Sequence, residues 1–158
     1  MAACYLGSFR AEPQHCYNKR PMLTNEQRQF LDAQRVIRLA TADASGIPHL
    51  VPLCFALNGE TIYIAGGANT KRMRNVMQNP RVALLADHYV EDWSVIGYVL
   101  LFGTALGLPV GEEHARASSL LKKRYSQFEG DQYRIVFEEG SMLVVHIERV
   151  VAYGKLAA

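Results

Sequence analysis

The apolar positions change period several times along the chain, and each change marks an element. Thr24-Asn25-Glu26-Gln27 fits a capping box, with Thr24 and Gln27 in the reciprocal positions. A short helix carrying Phe30, Leu31 and Gln34 is expected from there. From Arg35 to Ala42 the pattern becomes that of a strand, closed by the turn Asp43-Ala44-Ser45-Gly46. Ile47 to Leu57 reads as the next strand, and Asn58-Gly59 is a two-residue hairpin signal into Glu60 to Ala65. Met73, Val76 and Met77 then recur at helical spacing, with Asn69 or Thr70 placed to cap the start and Asn79-Pro80 to end it. Arg81 to Asp87 reads as a buried strand, and Val95 to Leu106 as a long apolar strand broken by Gly97 and Gly103. Glycines so placed suggest bulges or the bends of a barrel. Gly111 to Tyr125 reads as a helix, Phe128 to Gly140 fits neither period, and Ser141 to Ala152 is a final alternating strand. About six strands with two or three helices predict a mainly β (α+β) fold, a six-stranded antiparallel barrel with peripheral helices.

One strand departs from ordinary sheet chemistry. Pro48 and Pro52 are four apart, so their missing N–H groups fall on the same side and that edge cannot be regularly paired. It faces either solvent or a flat ligand that reads the remaining backbone groups. His49, Val51, Leu53, Phe55 and Leu57 share one face, with Leu50, Cys54 and Ala56 on the other. Apolar residues on both faces point to a closed or doubly covered sheet.

Composition narrows the classes. At 158 residues, 49% hydrophobic and 20% charged, the chain is ordinary for one globular domain, expected over 22–158 behind a loosely attached leader, 1–21. A formal charge of +2 argues for neither a nucleic-acid nor a membrane-surface partner. No apolar run is long enough to span a bilayer, and the first twenty residues lack a signal-peptide core, so a cytoplasmic location is expected. Cys4, Cys16 and Cys54 are odd in number and at no metal-binding spacing, so reduced thiols and no metal are expected.

Charge is informative at one point. Lys71 and Arg72 stand in the first turn of their helix, where the dipole disfavours cations. An anion bound at free N–H groups and both side chains would account for them, and a phosphate is the obvious candidate. A solvated basic face is the competing account. Gly66-Gly67 just before it either lets backbone approach a ligand or makes the turn. Asp87, His88, Glu91 and Asp92 are titratable groups close in sequence, read as a polar connecting loop with a catalytic or metal role as the alternative, and His146 reads as a core or interface residue rather than a base. No nucleophile elbow, P-loop, dinucleotide or zinc motif is present, so no catalytic residue is named. Chemistry on this chain would belong to a bound cofactor.

Arg38-Leu39-Ala40-Thr41, Asp43-x-x-Gly46-x-Pro48-His49-x-Val51-Pro52, Ile62-Tyr63, Thr70-Lys71-Arg72 and Asn79-Pro80-Arg81-Val82-Ala83-Leu84-Leu85 together resemble the pyridoxamine 5′-phosphate oxidase-like superfamily of split β-barrels. Asp87-His88-Tyr89-x-Glu91-Asp92-Trp93 further resembles a branch named as deazaflavin (F420)-dependent oxidoreductases. The resemblance implies flavin mononucleotide (FMN), or alternatively coenzyme F420, serving hydride transfer to or from a small-molecule substrate. Its phosphate would lie at Lys71 and Arg72, with Thr70 assisting and His49 the candidate where the oxidase has a basic residue. Val51, Pro52 and Leu53 would run along the ring, with Gly66 and Trp93 completing the cofactor-binding set. The same barrel also serves as a non-catalytic flavin- or haem-binding protein. Pyridoxamine phosphate oxidase activity itself is not expected, because the C-terminal stretch from Val151-Ala152-Tyr153-Gly154-Lys155 onward lacks the oxidase's substrate-binding arginine and tryptophan. Members place the cofactor between two subunits, and the continuous apolar strands exceed what one small barrel would hide. A two-fold homodimer is therefore expected.

Overall fold

A computed structural model describes residues 22–138 and 142–156. The expected leader over 1–21, with Cys4 and Cys16, lies outside them. The capping box forms as read: the Gln27 N–H donates to Thr24 Oγ1 at 3.2 Å and the Thr24 N–H to Gln27 Oε1 at 2.9 Å. It opens helix α1 (Asn25–Ala33), which buries Phe30 and Leu31. Strand β1 (Ile37–Ala42) buries Ile37, Leu39 and Thr41 in strict alternation. At the following turn the Asp43 carboxylate accepts from the Ser45 N–H and hydroxyl and from the Ile47 N–H, at 2.7 to 3.0 Å. Gly46, at φ +83°, supplies the left-handed residue.

The expected strand over Ile47–Leu57 is two strands, β2 (Pro48–Leu53) and β3 (Ala56–Asn58), which raises the count to seven. Then follow β4 (Thr61–Ala65), α2 (Lys71–Gln78), β5 (Arg81–His88), β6 (Gly97–Leu108), α3 (Glu112–Arg124), α4 (Arg134–Glu138) and β7 (Met142–Gly154). Helix α4 falls in the stretch that fitted neither period. The order across the antiparallel sheet is β2-β1-β5-β6-β7-β4-β3. Its two edge strands are neighbours in sequence, parted only by Cys54 and Phe55. Three Cα–Cα steps reach about 11 Å at most, so the sheet curls until its edges nearly meet. That is a split barrel.

Gly103 does what its position suggested. The β6–β7 register shifts between Phe102 and Gly103, and a Cβ on Gly103 would collide with the His146 carbonyl. Gly97 instead pairs in register with Gly154. Inside the barrel, Leu39, Ile62, Ile64, Leu84, Val99, Leu101 and Val145 form the core, with Phe30 and Leu31 from α1 and Met73 and Val76 from α2 packed against it. Ala117, Leu121 and Tyr125, at the end of α3, make a second cluster with Tyr63, Phe137 and Val144.

The break between β2 and β3 is held from outside. Tyr125 Oη accepts from the Phe55 N–H at 3.1 Å and lies 3.0 Å from the carbonyls of Phe55 and Arg35, to one of which it donates. Beside it, the Arg124 guanidinium donates to the carbonyls of Leu31, Asp32 and Gln34, the unsatisfied end of α1, and lies 4.7 Å over the Phe55 ring. Replacing Tyr125 by Phe keeps the packing and strands the buried Phe55 N–H. A loss of about 1–3 kcal/mol is expected in urea unfolding. A loss below about 0.5 kcal/mol would show that the hydroxyl does not hold the break.

Candidate functional site

Strand ends define two mouths of the barrel. Ala42, Pro48, Ala65, Arg81 and Leu108 lie at one, as the registers require, and Ile37, Leu53, His88 and Gly97 at the other. Helix α2 covers the first mouth, packed on β1 and β6.

Its orientation corrects the expected apolar face. Met73 and Val76 are buried, but Met77 is 80% exposed and Asn75 is buried instead. The Asn75 side chain donates to the buried Thr41 hydroxyl at 3.0 Å, which rotates the helix so that its inward arc is Met73, Asn75 and Val76. At 100° per residue, Arg72 falls in the middle of that arc. Arg72 is accordingly half-buried, its guanidinium laid against Gly66, where any Cβ would overlap it. Gly66 therefore makes room for a side chain of this protein.

No carboxylate pairs with Arg72 among the described residues, nor does any acceptor take its hydrogen bonds. Burial alone pulls its pKa below the ordinary arginine value. A partly buried guanidinium with no acidic partner in the protein is costly unless water or a bound anion satisfies it. Lys71 differs: it is 45% exposed and its ammonium stands 3.5 Å from the Asp43 carboxylate. Hydrogen bonds within the Asp43 turn, from the Ser45 hydroxyl first and the Ile47 N–H next, hold that carboxyl below its usual range, with Lys71 adding a smaller pull.

Thr70 caps α2, accepting from the Met73 N–H at 3.4 Å, while the Arg74 N–H reaches the Thr70 carbonyl at 3.1 Å. Two N–H groups, those of Lys71 and Arg72, are left over in the first turn. His49 stands on the inner face of β2, across from Thr41, and its Nδ1 is buried without a partner. Thr41 is thus shared: Asn75 reaches it from the helix and His49 faces it across the strand pair. Thr70, Lys71, Arg72, Gly66 and His49 all converge on one mouth, and their donors outnumber the acceptors present.

The ring-side candidates lie along β2. Val51 and Leu53 are half-buried on the inner face, and Pro52 is exposed on the outer one. The Asp43 N–H donates to the Ile47 carbonyl, so in this register Ile47, His49, Val51 and Leu53 turn their backbone toward β1. Pro48, Leu50 and Pro52 turn theirs outward, and Leu50 supplies the lone N–H of that free edge. Trp93, 77% exposed, follows the far end of β5. An eight-residue strand measures about 25 Å, so one chain does not bring Trp93 to Lys71.

Asp87 forms an ion pair with Arg38, Asp92 caps the short turn Trp93–Val95, and His88 and His146 are exposed. Among the described residues no cluster of three His, Cys, Asp or Glu side chains could hold a metal ion, and no helix is long and apolar enough to cross a membrane. Two features escaped sequence reasoning, the Asn75–Thr41 bond and the inward turn of Arg72. Gly66 so close before the helix was the available signal for the second.

The pyridoxamine 5′-phosphate oxidase family profile matches residues 23–153. A 5a,11a-dehydrotetracycline/5a,11a-dehydrooxytetracycline reductase of Streptomyces rimosus is 39% identical over 98 residues, 59% of this chain and 69% of that one. A FAD-binding protein of Mesorhizobium loti superposes with a TM-score of 0.65 at 27% identity, over 82% of this chain and 94% of its own. The haem storage protein of Vibrio cholerae gives 0.66 over 82% and 92%; at 17% identity that likeness is one of fold alone. With its barrel split between β2 and β3 and the family profile matched along nearly the whole described chain, this protein belongs to the pyridoxamine 5′-phosphate oxidase family.

Proposed function

We propose that the chain is an FMN-binding oxidoreductase acting on a small organic substrate. The observation that carries this reading is Arg72, half-buried and with no carboxylate paired to it among the described residues. A phosphate monoester supplies the missing charge, and the Lys71 and Arg72 N–H groups supply hydrogen bonds to it. His49 Nδ1 is a further polar atom awaiting a partner at the same mouth. Similarity to a reductase and to a FAD-binding protein supports flavin chemistry. Hydride exchange is what the group supplies when bound; the chain's residues position it, neutralise its phosphate and keep water from its buried parts. The likeness of Asp87–Trp93 to the deazaflavin branch supports F420 as the second reading, served by the same cation pair.

The site calls for a second copy of the chain. The outer face of the sheet carries Leu50, Leu85, Leu100, Phe102 and Val151, with Tyr98 and Tyr153 stacked at 5.7 Å, among which stand the Arg38–Asp87 ion pair and Arg149 over the Phe102 ring. Leu50 is 63% exposed there. A surface of this kind fits a two-fold homodimer, in which a partner copy can bring its own loop after β5 to the cofactor.

Two expected outcomes follow. Replacing Lys71 and Arg72 together by Ala removes two charge-assisted contacts of about 1.5–3 kcal/mol each. Titration should then show FMN or F420 affinity falling by about a hundredfold or more. Thermal unfolding of the empty protein should hardly change, since Ala favours helix and the cations oppose the dipole. Equal affinity in wild type and double mutant would refute the phosphate site. In sedimentation velocity the wild type should run as a dimer at micromolar concentration. Leu100→Glu should run as a monomer with weakened cofactor binding, and a monomeric wild type would rule out the shared site.

A further inference from the structure

The second mouth of the barrel, remote from α2, holds a cavity of about 410 Å³. Phe30 from α1, Val95 from the turn after β5 and Leu156 beyond β7 form its apolar walls. Three polar residues line it: Gln34 past the end of α1 and, both exposed, His88 at the end of β5 and Lys155. Lys155 is held in place by its N–H, which donates to the Ile96 carbonyl at 2.9 Å. Its ammonium makes no ion pair among the described residues. The carboxylate it influences, Asp92, already accepts from the Ser94 N–H, which with the Ser94 side chain lowers its pKa first and Lys155 last.

The rim is unusual as well. Val36, Tyr89, Val90 and Trp93 are 41 to 77% exposed, and all four flank strand ends at this mouth. An apolar cavity behind an apolar rim, lined by one cation without an ion pair and by Gln34 and His88, suits one kind of occupant. We propose that this mouth is a second small-molecule site, taking an apolar organic anion: a hydrocarbon or aromatic body with one carboxylate or comparable group directed at Lys155 and His88. A carboxylate would gain a charge-assisted contact at the exposed Lys155 that a neutral ligand lacks, and a strongly polar ligand would leave the apolar walls uncovered. Within one chain this mouth lies a strand length from α2, and its test on cofactor-free protein does not depend on the proposed cofactor site.

The test uses 4-phenylbutyrate and its neutral isostere 4-phenylbutanamide, titrated calorimetrically into the full-length, cofactor-free protein. The acid should bind about tenfold tighter than the amide, the difference made by one charge-assisted contact. Lys155→Met should erase that preference while keeping amide binding. Ala33→Phe, which fills the cavity from α1, should abolish binding of both, with an unchanged melting temperature showing that the fold survives. FMN affinity should be the same in all three proteins. Absence of acid binding, equal affinity for acid and amide in the wild type, or undiminished binding by Ala33→Phe would each overturn the proposal.

Discussion

Cys54 and Phe55 impose the constraint on which the structure rests. They join the two outermost strands of a seven-stranded sheet, and so short a link forces the sheet to curl. Curling puts β1, β5 and β6 around one interior and leaves two open mouths. One is stopped by α2; the other is partly covered by α1. The link itself has no ladder partner, and Tyr125 supplies the hydrogen bonds that Phe55 would otherwise lack, while Arg124 ties the end of α1 to the same place. Barrel closure and helix placement are therefore one structural problem, solved by two adjacent side chains.

The candidate site follows from where α2 sits. Because Asn75 reaches Thr41, the helix presents Arg72 rather than Met77 toward the barrel. Burying a guanidinium there is unfavourable in the empty protein, and Gly66 removes the steric obstacle to doing so. Lys71, loosely paired with Asp43 on a partly exposed surface, contributes less to an empty or a filled site. On the proposed reading, Arg72 is the charge that pairs with the phosphate and Lys71 the assisting one.

Much of the fold was legible. Hairpin turns at Asp43–Gly46 and Asn58-Gly59 and the capping box at Thr24 depend on residues within four positions of one another, and local chemistry determines them. The β2–β3 break was not legible, because Ile47 to Leu57 is apolar throughout and the group that interrupts it, Tyr125, lies 70 residues on. The basic pair was visible as an electrostatic oddity in a helix's first turn. Which member turns inward was not, since a contact between Asn75 and Thr41, 34 residues apart, decides it. Trp93 entered through family resemblance alone, and the topology sets it at the opposite mouth of its own chain.

On the proposed function, Arg72 is the charge that a cofactor phosphate neutralises. Comparing FMN with riboflavin, the same ring system without the phosphate, tests it on the unmodified protein. Fluorescence or calorimetric titration should show FMN bound about a hundredfold or more tighter than riboflavin, the equivalent of two charge-assisted contacts at the first turn of α2. Equal affinity for the two would contradict the phosphate site, for it would mean that binding draws nothing from the half-buried arginine.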